Sequence, residues 1–241
     1  MCIACIPAPK RVGLSRRSFA AGFAGWACTG LLSGGRARAS TPDPSRQVSP
    51  KEALQRLSEG NLRYINNQPR HHDMAADRHA VVGGQSPFAA VLGCADSRVS
   101  PELVFDQGLG DLFVVRVAGN FVNAEGLGSL EYGAAALGTA VILVLGHTSC
   151  GAINATLDAL RAGTAYPGDI ATLVRDMTPA VQPVLKSDPA ELARRAVEAN
   201  VLHNVAVLRQ SSPVLRPLIE QGRLAVAGGV YDLASGTVSI L

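Results

Sequence analysis

Apolar positions along the chain fall into two kinds of pattern. Short, nearly continuous apolar runs occupy Phe88–Gly93 (FAAVLG), Leu112–Val117 (LFVVRV) and Ala140–Gly146 (AVILVLG). Runs of this length without polar alternation predict strands buried on both faces, as in a parallel sheet. Leu224–Tyr231 is a fourth strand candidate, and Thr237–Leu241 a short last one after the Ser235-Gly236 turn. Between the runs the spacing is helical: a short helix from Pro101, others over Gly128–Leu137 and from near Gly151, and longer ones over Ile170–Leu185 and Pro189–Arg209. Upstream, Ser49-Pro50-Lys51-Glu52 combines a capping box with Pro at the first helical position, so a helix starts there and ends near Gln68-Pro69. Its apolar stripe (Ala53, Leu54, Leu57, Tyr64, Ile65) is partial; such a helix packs on a neighbouring subunit or covers its own domain. Strand alternating with helix predicts one α/β domain over residues 49–241, with a central, mostly parallel sheet flanked by helices.

The first 39 residues stand apart from this pattern. They hold six basic residues (Lys10, Arg11, Arg16, Arg17, Arg36, Arg38) and no acidic one. Ser15-Arg16-Arg17-Ser18-Phe19 resembles the twin-arginine export motif and is followed by a Gly- and Ala-rich apolar stretch, Phe19–Leu32, too short to span a bilayer well. Ala37-Arg38-Ala39 reads as a small-x-small cleavage site. The expectation is a signal peptide over residues 1–39 cleaved after Ala39, a linker over 40–48, and a periplasmic mature protein with no stable membrane anchor. The remaining chain carries 16 basic against 19 acidic residues, which argues against a nucleic-acid-binding surface. At 241 residues, 47% hydrophobic and 17% charged, the chain suits a globular domain with a proper core rather than a disordered one.

Without the leader, only Cys94 and Cys150 remain of five cysteines. In an exported protein two cysteines ordinarily suggest a disulfide. Their surroundings suggest another use. Cys94-Ala95-Asp96-Ser97-Arg98 follows the first strand run directly, and His147-Thr148-Ser149-Cys150-Gly151 follows the third. In open α/β sheets ligands bind beyond the carboxyl ends of the strands, so both clusters lie on one sheet edge. Two thiolates and an imidazole make a three-ligand set that suits zinc with a fourth position open. Cys150 at a helix N-terminus would have its thiolate favoured by the helix dipole. A cysteine nucleophile paired with His147 would leave the second cysteine and the Asp-x-Arg pair without a role. If the chain stays extended, Cys94, Asp96 and Arg98 share one side, where an arginine fork can hold a carboxylate.

C-A-D-S-R-V followed about fifty residues later by G-H-T-S-C-G-A resembles the β-class carbonic anhydrases, and L-F-V-V-R-V-A-G-N (Leu112–Asn120) and S-L-E-Y (Ser129–Tyr132) extend the likeness. The resemblance implies one zinc ion per subunit on Cys94, His147 and Cys150, with Asp96 and Arg98 as the catalytic dyad. It implies reversible hydration of carbon dioxide to bicarbonate, and a homodimer or dimer-based higher oligomer whose N-terminal helices reach across to the partner. In some members the matching aspartate becomes the fourth zinc ligand and closes the site. Hydrolysis of carbonyl sulfide or carbon disulfide on the same scaffold is an alternative, separable by turnover of the three gases. A non-catalytic zinc-binding protein would have no need of the Asp96-Arg98 pair.

Other positions match the plant-like, open-site branch. Gln85 corresponds to a substrate-binding glutamine often supplied across the dimer interface; Phe113 and Tyr132 match pocket residues, and Gly151 can turn its N–H to the substrate or ease packing. Members with a regulatory bicarbonate pocket carry a tryptophan three residues before the first zinc cysteine; this chain has Val91, although Arg116 and Tyr231 resemble the pocket's other residues. His71, His72 and His79 read as surface histidines and His203 as structural. Gly126–Gly133 does not fit G-x-G-x-x-G, which rejects nucleotide binding.

Overall fold

The computed structural model describes residues 48–241; the expected leader and nearly all of the linker lie outside the described residues. Five strands, β1 (Ala89–Gly93), β2 (Leu112–Arg116), β3 (Val141–His147), β4 (Ala225–Tyr231) and β5 (Val238–Ile240), form one sheet in the order β2-β1-β3-β4-β5. The first four run parallel, and β5 returns antiparallel to β4 after the Ser235-Gly236 turn. The apolar runs at β1 and β3 are buried throughout, as strands covered on both faces must be. β2 departs from the expectation: it has a single neighbouring strand, and its residues are only half-buried, with Arg116 exposed.

Among the described residues eight α-helices surround the sheet: α1 (Pro50–Ile65), α2 (Met74–Val81), α3 (Pro101–Val104), α4 (Ala124–Ala135), α5 (Gly151–Ala162), α6 (Ile170–Val181), α7 (Leu192–Ser211) and α8 (Leu215–Glu220). Most bounds agree with the sequence to within a few residues. The first helix stops at Ile65, short of the expected Gln68-Pro69. α4 starts earlier than Gly128 because Asn123 Oδ1 accepts from the Gly126 N–H at 2.8 Å and caps it. α6 ends at Val181 and continues as a 3-10 turn over Gln182–Val184, because Pro183 has no N–H to carry the α-helical ladder on. α2 and α8 are additions. α2 is capped by Asp73, whose Oδ1 accepts from Ala75 and Ala76, yet buries no residue.

The core has three parts. On one face Ala53 and Leu57 of α1, with Val104 and Phe105, pack on Ala89, Val91, Val141, Leu143 and Leu145. On the other, Leu130 of α4, Val201, Val205 and Leu208 of α7 and Leu215 of α8 cover Leu92, Ile142, Val144 and Val226. The third lies past the carboxyl ends of the strands, where Ile153, Leu157, Met177, Val181 and Val197 pack around Cys94 and Cys150. α1 therefore covers its own domain. An added Cβ at Gly60 would lie 1.7 Å from the Phe105 carbonyl oxygen, so glycine is what lets helix and chain touch. Buried Asn61 secures the contact by donating to the carbonyls of Val104 (3.1 Å) and Gly236 (2.9 Å) and accepting from the Val238 N–H (2.9 Å).

Candidate metal centre

β1 and β3 are adjacent and parallel, with Gly93 opposite Leu145, so the residues leaving both strands emerge at one edge. Cys94 is the first residue past β1, His147 ends β3, and Cys150 is the N-cap of α5. The ligand atoms of Cys94, His147 and Cys150 all lie within 4.8 Å of one another, and the residues are buried. The thiols are not joined: the two Sγ atoms are 4.0 Å apart and both cysteines are free. His147 Nδ1 donates to the Thr148 carbonyl at 2.9 Å, which leaves Nε2 with its lone pair directed inward. That Nε2 is buried without a hydrogen-bond partner. An orphaned imidazole nitrogen facing two thiols is the donor set that a zinc ion satisfies.

Tight local turns produce this convergence. Ser149 takes a left-handed conformation (φ 57°), folding His147-Thr148-Ser149-Cys150 so that ligands three apart face one another. The end of β4 anchors the turn: Thr148 N–H donates to the Tyr231 carbonyl at 2.9 Å, and the Leu233 N–H to Thr148 Oγ1 at 3.0 Å. Gly119 (φ 87°) gives its N–H to Cys94 Sγ at 3.3 Å. An added Cβ there would meet Met177 Sδ at 2.2 Å. Asn200 of α7 donates to the Gly119 carbonyl at 2.8 Å, tying this turn to the far helix.

The site favours one thiolate even before a metal adds its charge. The Cys150 thiol donates to Cys94 and, with His147 close by and the Gly119 and Asp96 backbones, draws Cys94 down to about 4 against the pull of burial. Cys150 is correspondingly pushed up, by its hydrogen bond to Cys94, by burial and by the Cys94 charge, while the Ile153 and Ala152 amides at the start of α5 oppose the rise. Burial lowers His147, but the nearby Cys94 sulfur and its charge outweigh it and the net direction is upward. A bound cation displaces these protons.

Asp96 and Arg98 sit at the rim. The chain does not stay extended from Cys94 to Arg98; it turns, with Asp96 Oδ1 accepting from the Arg98 N–H at 2.9 Å. The turn brings the Arg98 guanidinium onto the carboxylate, Nε to Oδ1 at 2.9 Å and Nη2 to Oδ2 at 2.7 Å. Nη2 also reaches the Ser149 carbonyl at 3.4 Å, linking the two ligand loops. Asp96 Oδ2 lies 3.8 Å from His147 Nε2. The Arg98 guanidinium holds the Asp96 carboxyl well below the usual carboxylate range, so it acts as an acceptor.

The remaining expected site residues fall in different places. Gly151 opens α5 beside Cys150, and an added Cβ there would meet nothing within 4 Å, so packing does not demand the glycine. Gln85 is exposed in the segment before β1, at the strand end opposite Cys94. Phe113 is paired with Ala90, and its ring sits 6.3 Å from that of Tyr132; neither joins the cluster of its own chain. Val91 is fully buried in the core. Arg116 donates to two main-chain carbonyls, and the Tyr231 hydroxyl lies 3.1 Å from that of Tyr64. A cavity of about 500 Å³ beside α2 and α3 includes His72, Met74 and Leu103 in its lining and none of the cluster residues. The supporting roles of Gly119 and Asn200 are absent from the sequence reading: one is a backbone donor and the other lies 81 positions from its acceptor.

This fold and site define an α/β protein with a cysteine–histidine–cysteine cluster able to bind a metal at the carboxyl edge of a parallel sheet. The chain belongs to the carbonic anhydrase family, whose model matches residues 89–238. It is 40% identical to "Carbonic anhydrase 2" of Mycobacterium tuberculosis over 190 residues, covering 78% of this chain and 91% of that protein. A carbonic anhydrase of Mycolicibacterium smegmatis is likewise 40% identical over 195 residues, covering 80% and 93%. Among solved structures, the Coccomyxa β-carbonic anhydrase in complex with acetazolamide matches with TM-score 0.63 and 32% identity over 69% of this chain and 77% of that one. Within the family the fold is that of the β class, and the enzyme is a carbonate dehydratase.

Proposed function

We propose that the protein is a zinc-dependent, open-site β-carbonic anhydrase that hydrates carbon dioxide reversibly in the periplasm. The observation that carries this reading is the buried, unpartnered His147 Nε2 facing two free cysteines, beside a carboxylate held by arginine. Cys94, His147 and Cys150 would hold the ion. When bound, zinc supplies Lewis acidity that brings the pKa of a water to about 7.

The chain's own residues set up the rest. Asp96, kept ionised, accepts a hydrogen bond from the attacking oxygen and fixes its lone pair toward carbon dioxide. Arg98 holds the carboxylate by both oxygens at the rim, leaving the fourth metal position for substrate chemistry. Gly119 N–H and the amides at the start of α5 stabilise the two thiolates. The Gly151 N–H faces the substrate. Gln85, Phe113 and Tyr132 lie away from their own chain's cluster and serve the partner's site in a homodimer or dimer-based oligomer. Arg16 and Arg17 direct twin-arginine export of the folded, metal-loaded protein, with cleavage after Ala39. Stopped-flow carbon dioxide hydration on the zinc-loaded mature chain tests the reading; zinc at one per chain without hydration above buffer contradicts it.

A further inference from the structure

Two arginines act on the short segment that carries Cys94 and Asp96. Arg98 holds the Asp96 side chain. Arg116, the last residue of β2, holds the main chain: its Nε donates to the Cys94 carbonyl at 2.9 Å and its Nη2 to the Asp96 carbonyl at 2.7 Å. We infer that Arg116 is a positioning residue, whose planar fork fixes the main chain between a metal ligand and the aspartate of the dyad.

The geometry explains why a fork is needed there. Gly93 pairs with Arg116 in the sheet register, and the last backbone bond from β1's side is Ala95 N–H to the Val117 carbonyl at 3.2 Å. Beyond it the chain leaves the sheet and turns, Val99 N–H closing onto the Asp96 carbonyl at 3.1 Å. Between those points the orientation of two peptide planes sets where Cys94 Sγ and the Asp96 carboxylate point. One guanidinium edge presents two donors at fixed spacing to two carbonyls two residues apart, which a single ammonium cannot do. Arg116 itself is set by the β-ladder, so the rigidity of the sheet passes to the loop. Both donors are thereby used inside the fold.

In sequence Arg116 and Tyr231 resemble two residues of a regulatory anion pocket, but Val91 stands where its tryptophan would be. In the structure both are committed elsewhere, Arg116 to this loop and the Tyr231 hydroxyl to Tyr64. The inference rests on the hydration reading only for its kinetic arm.

The test compares wild type, Arg116→Lys and Arg116→Gln as zinc-loaded full-length mature protein, after circular dichroism has shown each to be folded. Arg116→Lys keeps the charge and removes the fork, so it stands even if the neutral variant misfolds. The expected result is a kcat for carbon dioxide hydration about 10–100-fold lower in both variants, with KM within about twofold, since a displaced catalytic group costs rate rather than uniform binding. Zinc loss to a chromogenic chelator should be at least about tenfold faster in both, because the Cys94 ligand is no longer held in geometry. Wild-type kcat and zinc-loss rate in Arg116→Lys overturn the inference, as does a variant that changes only KM. If wild type itself fails to hydrate carbon dioxide, the hydration reading falls and the chelator arm still decides on Arg116.

Discussion

Arg98 grips Asp96 through one edge of its guanidinium, Nε to Oδ1 at 2.9 Å and Nη2 to Oδ2 at 2.7 Å. Arg98 is exposed, so the pair adds little to stability. Its value is directional. Asp96 Oδ2 is already 3.8 Å from His147 Nε2, close enough that a freed carboxylate can reach an ion held there. Arg98→Ala should retain zinc at one per chain and lose about 100-fold or more in kcat, with little recovered at higher pH. Elemental analysis paired with stopped-flow assays checks this, and near-wild-type turnover would remove Arg98 from the mechanism.

The ligands behave differently from the dyad. Cys94→Ser, Cys150→Ser and His147→Ala each leave two strong donors where zinc needs at least three from the protein. Zinc content and hydration should fall together in all three, whereas Asp96→Asn keeps the metal and loses rate. Full zinc occupancy in the ligand variants, measured after dialysis against a chelator, would contradict the assignment.

Stability in alkali reports on the contact between α1 and the carboxyl edge of the sheet. Burial pushes the Tyr231 phenol up to about 12, helped by its hydrogen bond to Tyr64 and the nearby Asp232 charge. The folded state holds this proton more tightly than the unfolded chain, where tyrosine titrates near ~10. The contribution is therefore complete below about pH 10 and is lost as pH rises toward about 12. Urea unfolding at pH 9 and pH 11.5 should show a loss in wild type that Tyr231→Phe reduces by about 2 kcal/mol. Equal losses in both proteins would mean that Tyr231 is not held as described.

Gly60 offers a prediction whose sign opposes helix propensity. Alanine at an exposed helical position is better than glycine by ~1 kcal/mol. Here the new Cβ would stand 1.7 Å from the Phe105 carbonyl oxygen, which is main chain and cannot rotate aside. Gly60→Ala should destabilise by more than about 2 kcal/mol, as forced overpacking does. A thermal melt above that of wild type would show that α1 does not seat on α3 in this way.

The chemistry is more legible in the sequence than the architecture that supports it. Cys94 and His147 can be read because each is a reactive residue at the end of an uninterrupted apolar run, and strand direction then places both on one edge. α2 escapes because it buries no residue and so has no apolar period, and α8 because six residues are too few to show one. Arg116 is visible as a type but not as a role, since only the register of β1 and β2 brings its side chain over the Cys94 loop. The left-handed turn at Ser149 has no residue signature either, because serine rarely marks a positive φ.

Export makes a separate prediction. The mature protein recovered from the periplasm should begin at Ser40 by N-terminal sequencing or intact mass. Changing Arg16 and Arg17 to lysine should leave the precursor inside the cell. A secreted product from that variant, or a mature start elsewhere, would contradict the twin-arginine assignment without touching the enzyme.

We propose that Cys94, His147 and Cys150 hold the zinc at which carbon dioxide is hydrated. Stopped-flow hydration measured while the apoprotein is titrated with zinc tests it most directly. The rate should rise linearly and break at one zinc per chain, with no rise at all in His147→Ala. A wild-type protein that binds one zinc and gives no rate above buffer, or a His147→Ala variant that titrates like wild type, would contradict it.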